Sequence, residues 1–422
     1  MNKVIKNSSA LFLGIALIMI GYGFQGSLLG VRAVMEQFTL TSTGLMMSGY
    51  FVGYFYGAKV IPDYISRVGH IRVFAAFASL CSLVVLVHSI YVNPFFWFFL
   101  RFLTGVSMVC MFTVAESWLN DRSTNRNRGQ ILSIYMIVLY SGLAIGMILL
   151  NFSDPKDFKP FILISVLMSL ALMPILLTKR TAPKFKKIQA MNLKQIYKTS
   201  PVGLISIILF GAAQSGAVGL LAVYAASMNF SIFDISLATF FFWVSGAIGQ
   251  WPIGKISDLS SDRRTMLIYT TLASAVFAFL SIQNSQTMHL PGSLAGEKIW
   301  FYLSLSAYSF FSLPMFSLIL AHTNDFIPKE KFVSAGAALQ LAFGIGAMGG
   351  PFLCSILMDF YGPNGFFVFL IFFHILIGLF AIYRKSRRPS EDNPESQFTA
   401  LPQTITPVGL ELDPTTEPIE EK

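Results

Sequence analysis

The sequence reads PVGLISIILFGAAQSGAVGLLAVYAAS from Pro201 to Ser227, with no charged side chain in the whole stretch. About 20 consecutive apolar residues are enough for an α-helix to cross the hydrocarbon core of a bilayer, which is roughly 30 Å thick. A helix also hydrogen-bonds its own backbone, as a segment surrounded by lipid must. This stretch therefore predicts a transmembrane helix.

Eleven further stretches have comparable length and apolar character. They lie near residues 10–30, 43–62, 72–92, 94–117, 130–150, 158–178, 233–254, 265–284, 298–321, 331–357 and 363–383. We predict an all-α polytopic membrane protein with twelve transmembrane helices in two pseudo-symmetric six-helix bundles. The predicted units are a first bundle at 1–178, a basic central loop at 179–200, a second bundle at 201–385 and a tail at 386–422.

The composition excludes a water-soluble protein. Of 422 residues, 54% are hydrophobic and only 12% are charged. Soluble domains carry about 25% charged residues, so this chain has too little polar surface to coat a soluble globule. The net charge of +9 does not indicate nucleic-acid binding, because the lysines and arginines sit in short gaps between apolar stretches. A nucleic-acid-binding protein gathers them on one folded face.

The basic residues indicate the orientation of the chain, because cytoplasmic loops of membrane proteins carry the excess of lysine and arginine. With the N-terminus inside, the inside segments hold 24 lysines and arginines, and the outside loops hold 4. We therefore expect both termini in the cytoplasm. The first apolar stretch is too long for a signal-peptide core, so we expect it to remain as the first helix.

The tail beyond Arg388 differs from the rest of the chain. It holds eight acidic residues and six prolines, whereas the central loop from Thr178 to Thr199 holds no acidic residue. A charged, proline-rich segment buries too little apolar surface to offset the entropy of ordering it. We therefore expect a disordered cytoplasmic tail.

The two halves of the chain resemble each other at a constant offset of 192 residues. Phe38-Thr39-Leu40 returns as Phe230-Ser231-Ile232, and Arg72 returns as Arg264. Many transporters are built from such repeats, with the substrate site at the interface between them. The repeat favours transport over other membrane functions.

The segment after the eighth predicted helix reads Gly254-Lys-Ile-Ser-Asp258-Leu-Ser-Ser-Asp262-Arg263-Arg264. This resembles the G-x-x-x-D-…-R-R signature of major facilitator transporters. The resemblance implies a cytoplasmic gate in which the acidic and basic side chains form an ion-pair latch. In the first half the pattern is altered, with proline and serine in the usual glycine and aspartate positions. The first-half residues assigned to the gate are Arg67, Gly69, Arg72, Arg126 and Arg128.

Glycine motifs extend this resemblance over about residues 10–385. Helix 4 carries Arg101-Phe-Leu-Thr-Gly105, and helix 11 carries Gly344-Ile-Gly346-Ala-Met-Gly349-Gly350-Pro351. The chain is most similar to the YcaD-like bacterial branch of the superfamily. The resemblance implies helix-packing or hinge roles for Gly105, Gly142, Gly146, Gly346, Gly350 and Pro351.

Two ionisable residues on helix 4 are candidates for function, because a charge inside a membrane is costly. Arg101 is interpreted as an anion anchor or charge relay, with an arginine that snorkels outward or satisfies backbone carbonyls as the alternative. Glu116 lies near the cytoplasmic end, where we expect it to pair with a loop arginine. No carboxylate lies deep in a predicted helix, so proton coupling is either absent or runs through helix 4.

In the resembling fold, helices 1, 4, 7 and 10 line the central cavity. The resemblance therefore implies substrate contacts from Tyr22, Gln25, Gln214, Tyr224, Tyr308 and Ser312.

Taken together, these patterns predict a secondary active or facilitative transporter that moves a small molecule by alternating access. Arg101 favours a substrate with some negative charge. The alternative is a transporter-like sensor that binds a ligand without moving it. The sequence holds no enzyme, metal or cofactor motif. We expect a monomer in a bacterial inner membrane, with the bilayer and the substrate as its partners and no nucleic acid.

Overall fold

The computed structural model describes residues 2–176, 183, 187–286, 295–387 and 396–416. This part of the chain is helical and contains no β-strand, which confirms the predicted all-α class. The helices of the first half are α1 (Asn2–Met35), α2 (Leu40–Val68), α3 (His70–Ile90), α4 (Pro94–Asp121), α5 (Arg128–Ile148), α6 (Lys159–Leu170) and α7 (Leu172–Leu176).

The helices of the second half follow a short connecting helix, α8 (Leu193–Thr199). They are α9 (Pro201–Ser227), α10 (Ile232–Leu259), α11 (Arg263–Ser285), α12 (Ala295–Ser312), α13 (Met315–Asn324), α14 (Phe332–Tyr361) and α15 (Gly365–Lys385). A single 3₁₀ turn, Gly409–Leu412, lies in the tail.

Ten helical stretches within the described residues are long and apolar enough to cross a membrane. They coincide with ten of the predicted spans. The other two predicted spans, at 43–62 and 158–178, coincide with α2 and with α6 and α7. α2 is long enough but contains many glycines, serines and tyrosines, and a turn at Ala171 separates α6 from α7.

Two tight turns show the internal repeat in the backbone itself. Gln37 after α1 has a φ of 59°, and Asn229 after α9 has a φ of 55°. Residues other than glycine rarely adopt positive φ, so the same rare conformation at these two equivalent positions is a feature of the repeat. In both halves a hydroxyl then caps the next helix: Thr39 accepts the N–H of Ser42, and Ser231 accepts that of Asp234. The offset of 192 residues therefore applies to conformation as well as to sequence.

The two halves pack tightly against each other at one end, where α2 begins and α14 ends. Thr41 donates a hydrogen bond to Asp359, and the hydroxyl of Ser48 accepts the N–H of Phe352 at 3.2 Å. This end is called the closed end. The opposite end carries α8 and the α2–α3, α4–α5 and α10–α11 connections, and is called the basic end.

Residues 396–416 lie between the two halves at the basic end, and their side chains are largely buried. For these residues the prediction of a disordered tail is wrong. The acidic residues of the tail stand mainly at 391–395 and 417–421, whereas its apolar ones are concentrated between them. Leu401, Ile405, Leu410 and Leu412 are at most 3% exposed. Residues 388–395 and 417–422 lie outside the described part of the chain.

Candidate functional site

A central cavity lies between the two halves. Helices α1, α2 and α5 of the first half and α9, α10 and α14 of the second contribute its walls. Most of the wall is aromatic or aliphatic, with ring contributions from Tyr22, Tyr50, Phe51, Tyr54, Phe55, Tyr140, Trp243 and Phe343. Such a wall suits a ligand with an apolar body, because ligand sites are mostly apolar with few polar groups.

Tyr22 on α1 and Gln214 on α9 are the two predicted substrate residues that line the cavity wall. Gln214 is the one with an amide side chain. It is 1% exposed, and within the described residues its amide has no hydrogen-bond partner at either oxygen or nitrogen. A buried amide without partners is unfavourable by roughly 1–3 kcal/mol. A bound ligand that accepts and donates hydrogen bonds would remove that penalty.

Arg101 on α4 lines a second, smaller pocket that adjoins the central cavity toward the closed end. The two spaces share Tyr22 and Trp243 in their walls. Arg101 is 4% exposed, so the structure does not support the snorkelling alternative. Its Cζ atom lies 4.9 Å from the centre of the Tyr50 ring.

Among the described residues, the guanidinium of Arg101 has no acidic partner. Its Nε and Nη1 atoms have no hydrogen-bond partner in the described part of the chain, and none of the ion pairs found there includes it. A buried charge is strongly unfavourable unless it is paired. Stacking on Tyr50 compensates partly, because a ring face attracts a cation. The pocket is therefore suited to an anion.

Glu116 is fully buried on the same helix, and its partners differ from those predicted. The Tyr135 hydroxyl donates to one carboxylate oxygen at 2.8 Å. The backbone N–H of Thr406 donates to the other at 2.9 Å, and the Thr406 hydroxyl donates to it as well. The predicted pairing with a loop arginine is wrong, because these donors from α5 and the tail already occupy both oxygens.

The acidic and basic gate residues of the second half form ion pairs, which also include Asp325, a residue not predicted for the gate. Arg263 lies 2.7 Å from Asp258 and 2.6 Å from Asp325, and Arg264 lies 2.9 Å from Asp262. The second-half latch is defined here as Asp258, Arg263 and Asp325. Burial raises the pKa of Asp325 to about 6, although the charge of Arg263 opposes this rise.

The first-half gate residues are arranged differently. Arg67, Arg72 and Arg126 are exposed and take part in none of the ion pairs found among the described residues. Gly69 joins α2 to α3 with a φ of 93° and lies in open space. Arg128 is buried and donates to the carbonyls of Pro414 and Thr416, so it contacts the tail.

Four predicted cavity residues lie outside the walls of the two pockets. Tyr224 stacks on Phe366 with ring centres 5.2 Å apart, near the closed end. Tyr308 is buried against His374, to which Ser312 hydrogen-bonds at 3.0 Å. Gln25 is 1% exposed with no partner for its amide among the described residues.

The predicted packing residues lie where two helices approach closely. A Cβ atom on Gly105 would overlap the backbone of Tyr50, and one on Gly146 would overlap that of Ile20. Gly142 faces Met19, Gly346 faces Ile208, Gly350 faces Ala212, and Gly254 faces Phe398 of the tail. Pro351 packs on Gly219.

Several cavity residues were not predicted from the sequence. Tyr50, Phe51, Tyr54 and Phe55 form two aromatic pairs four residues apart on α2, a spacing that places them on one helix face. That spacing is the signal by which they can be found. Gln340 and the tail residues at 402–404 carry no comparable pattern.

Comparisons with known proteins agree with this architecture. The sequence model of the Major Facilitator Superfamily matches residues 11–294 and 203–415. An uncharacterized MFS-type transporter of Yersinia enterocolitica is 23% identical over 93% of this chain and 97% of its own length. The MFS-type transporter YcaD of Escherichia fergusonii is 23% identical over 85% of this chain and 90% of its own length.

Solved transporter structures share the fold. The nucleoside transporter NupG has a TM-score of 0.71 at 12% identity, covering 90% of this chain and 98% of that protein. A bacterial homologue of the human lysosomal transporter Spinster, inward-facing and occupied, has a TM-score of 0.67 at 12% identity, covering 93% and 98%. Since the family model covers most of the sequence, the chain belongs to the Major Facilitator Superfamily, whose members are membrane transporters and not enzymes.

Proposed function

We propose that this transporter moves a small molecule with an apolar body and a negatively charged group by alternating access. The observation that carries the proposal is the central cavity, whose wall comes from both halves and which adjoins the unpaired cation of Arg101. A site between two similar halves becomes accessible from either side when the halves rock against each other.

The proposed architecture is two six-helix bundles, at 1–178 and 201–385, linked by residues 179–200. It counts α2 and the α6–α7 pair as spanning. Contacts along α2 support this, because Gly49, Gly53 and Gly57 each lie directly against α4, itself long and apolar enough to span. Since α2 packs along α4 from Gly49 to Gly57, both helices cross the hydrocarbon core of the membrane.

The basic end is proposed to face the cytoplasm, with both chain termini on that side. The excess of lysine and arginine in the connections at this end supports the assignment. The likeness to transporters of Yersinia and Escherichia supports a bacterial inner membrane as the location.

The substrate class follows from the two pockets together. The aromatic cavity favours a body of rings or alkyl groups, while Arg101 provides the cation to pair with a carboxylate or similar group. Gln214 lies in the cavity wall with free amide groups and would select a substrate with a further polar group. The site is proposed to act without a metal or cofactor.

Coupling to protons, where it occurs, is proposed to use Glu116. This carboxylate is fully buried and accepts the N–H of Thr406, and the nearby carbonyl of Thr404 accepts the hydroxyl of the cavity residue Tyr54. A buried carboxylate that exchanges partners during rocking can bind and release a proton.

Counterflow in proteoliposomes tests the proposal. A thermal-shift screen of small aromatic and aliphatic carboxylates, each beside its methyl ester, first identifies a ligand. We expect acids to stabilise the protein more than their esters, and the labelled acid to exchange across the membrane. Arg101→Gln should lose both effects, and Lys156→Gln, an exposed loop variant, should keep them. Binding without exchange, both in the full chain and in a chain that lacks residues 396–416, would favour the sensor. Preference for the esters would contradict the anionic substrate.

A further inference from the structure

The tail segment at 396–416 occupies the space between the two halves at the basic end of the cavity. Pro402, Gln403, Thr404 and Pro407 form part of the cavity wall there. The hydroxyl of Tyr54 donates to the carbonyl of Thr404 at 2.6 Å. The wall of the central cavity on this side is therefore made partly by the chain's own tail.

The first part of the segment is bound to the second half. Arg263 donates to the carbonyl of Ser396 at 2.9 Å, and Asp258 accepts the N–H of Phe398 at 2.8 Å. The hydroxyl of Ser317 accepts the N–H of Leu401 at 2.9 Å. The tail thus binds the second-half latch itself.

The last part of the segment is bound to the first half. Glu116 accepts the N–H of Thr406 at 2.9 Å, and Asn120 donates to the carbonyl of Val408. Arg128 donates to the carbonyls of Pro414 at 2.9 Å and Thr416 at 2.7 Å. Side chains of both halves therefore hydrogen-bond to the tail segment.

We infer that residues 396–416 are an autoinhibitory plug that holds the transporter with its basic end occupied. This inference rests on the proposed function of the cavity and concerns its regulation. The plug acts in two ways: it fills the path between the cavity and the cytoplasm, and it bonds to both halves across the gap that must close.

The closed end cannot open while the plug is bound. Rocking the halves to open that end narrows the basic end, where the backbone and buried side chains of the plug now stand. Protein interiors are close-packed, so this volume cannot be compressed. Because the plug is tethered to α15, it rebinds as an intramolecular ligand at high effective concentration.

Accessibility of a cavity residue tests the plug without any substrate. Ala337→Cys places a thiol in the cavity wall, at a position that is 0% exposed. An impermeant maleimide is added to inside-out vesicles, and the parent chain, whose three cysteines are buried, serves as the blank. Deletion of residues 396–416 should speed labelling by at least about tenfold, which corresponds to docking favoured by about 1.4 kcal/mol.

A second variant tests the plug even if the deleted chain fails to fold. Ile405→Asp puts a carboxylate at a tail position that is 0% exposed, while the bundle keeps its sequence. It should speed labelling of the Ala337 thiol in the same direction. Equal labelling rates in the full chain, the deletion and Ile405→Asp would overturn the plug.

A disulfide tests the docked position and its effect on transport. A Cβ atom on Gly129 would lie 3.6 Å from Cβ of Pro414, within the range of about 3.5–4.5 Å found in disulfides. Gly129→Cys with Pro414→Cys should cross-link on oxidation and slow the labelling of the Ala337 thiol. Reduction should restore the rate, and Gly129→Cys alone should not respond. Failure to cross-link would overturn the docked position.

The two proposals fail in different ways. If labelling depends on the tail but neither full nor shortened chain exchanges any screened carboxylate, the proposed function falls and the plug remains. If the full chain exchanges a carboxylate as fast as the shortened chain and labelling is equal, the plug falls and the function remains.

Discussion

The carboxylate of Glu116 accepts the backbone N–H of Thr406 at 2.9 Å, although the two residues stand 290 positions apart in the sequence. A candidate coupling residue on α4 is thus bound by the tail. Docking of the tail and protonation of Glu116 are linked, because a carboxylate accepts these hydrogen bonds better when it is ionised. The proposed plug and the proposed coupling residue therefore share one set of hydrogen bonds.

Glu116→Gln is expected to remove any acceleration of transport by a pH gradient. Glutamine keeps the size of the side chain but cannot release a proton at any relevant pH. The measurement is substrate flux in proteoliposomes with and without a gradient, made on the tail-deleted chain so that docking does not contribute. Asp154→Asn, in an exposed loop, is the matched control. Strong proton-driven accumulation that persists in Glu116→Gln contradicts this assignment.

Arg101→Gln is expected to weaken binding of a carboxylate ligand by about 2–5 kcal/mol, the usual effect of removing one partner of a buried charge pair. This corresponds to roughly 30-fold or more in Kd. The measurement is titration calorimetry in detergent with the acid and its methyl ester. The ester should bind both proteins alike, because it offers Arg101 no charge. An equal loss for acid and ester would indicate a packing defect instead of an anion site.

Arg263→Gln is expected to lower the free energy of unfolding at neutral pH by about 3–5 kcal/mol, because it leaves Asp258 and Asp325 without their buried cation. The deficit should shrink as the pH falls toward 5. Burial raises the pKa of Asp325 to about 6, so this carboxyl is increasingly neutral at pH 5. Replacing Arg263 then lowers the free energy of unfolding by a smaller amount. Thermal unfolding at the two pH values measures the effect.

The control for this variant is Arg67→Gln, because Arg67 is exposed and pairs with none of the acids in the described chain. It should change the free energy of unfolding by no more than about 0.5 kcal/mol. A similar loss in both variants would show that the ion pairs of the second-half latch are not the cause.

Asp413→Asn is expected to tighten docking of the plug at neutral pH and to weaken its pH dependence. Burial raises the pKa of Asp413 in the docked tail, although hydrogen bonds from Thr415 and Thr399 and the charge of Arg128 oppose the rise. A raised pKa means that the docked state favours the protonated acid, so docking weakens as the pH rises above the ordinary value of 3.8. Asparagine keeps the acceptor oxygen and removes this penalty.

The measurement for Asp413→Asn is maleimide labelling of the Ala337→Cys chain from neutral pH down toward the ordinary pKa of 3.8, corrected for the reactivity of the thiol in the tail-deleted chain. As the pH rises, the parent should label increasingly faster than Asp413→Asn, because only the parent has the penalty of burying an ionised carboxylate at this position. Other groups near the plug also titrate, so the difference between parent and Asp413→Asn isolates this residue. An unchanged pH dependence in Asp413→Asn contradicts the assignment.

The features of the fold and site that could be predicted are those with a sequence pattern confined to a short stretch of the chain. Long apolar stretches such as 201–227 and the glycine and charge motifs around Gly254 are local patterns, and they predicted the helices, the repeat and the ion pair of Arg263 with Asp258. Asp325, the other partner of Arg263, is distant in the sequence and was not predicted. The tail was mispredicted because net composition over 386–422 concealed an apolar core from Leu401 to Leu412. The partner of Glu116 was missed for a related reason, since no local pattern connects it to Thr406.

Gly105→Ala is expected to destabilise the protein by about 1–3 kcal/mol, the usual effect of overpacking a close-packed site. Its added Cβ atom would overlap the backbone of Tyr50, so α4 must move away from α2 and displace the ring that stacks on Arg101. We therefore expect weaker carboxylate binding together with a lower unfolding temperature. Gly349→Ala on α14 is the matched control, since its Cβ atom would meet only Leu353 at 3.8 Å. That variant should be neutral or slightly stabilising, because alanine restricts the unfolded chain more than glycine does. If Gly105→Ala unfolds and binds like Gly349→Ala, then close α2–α4 packing does not position Arg101.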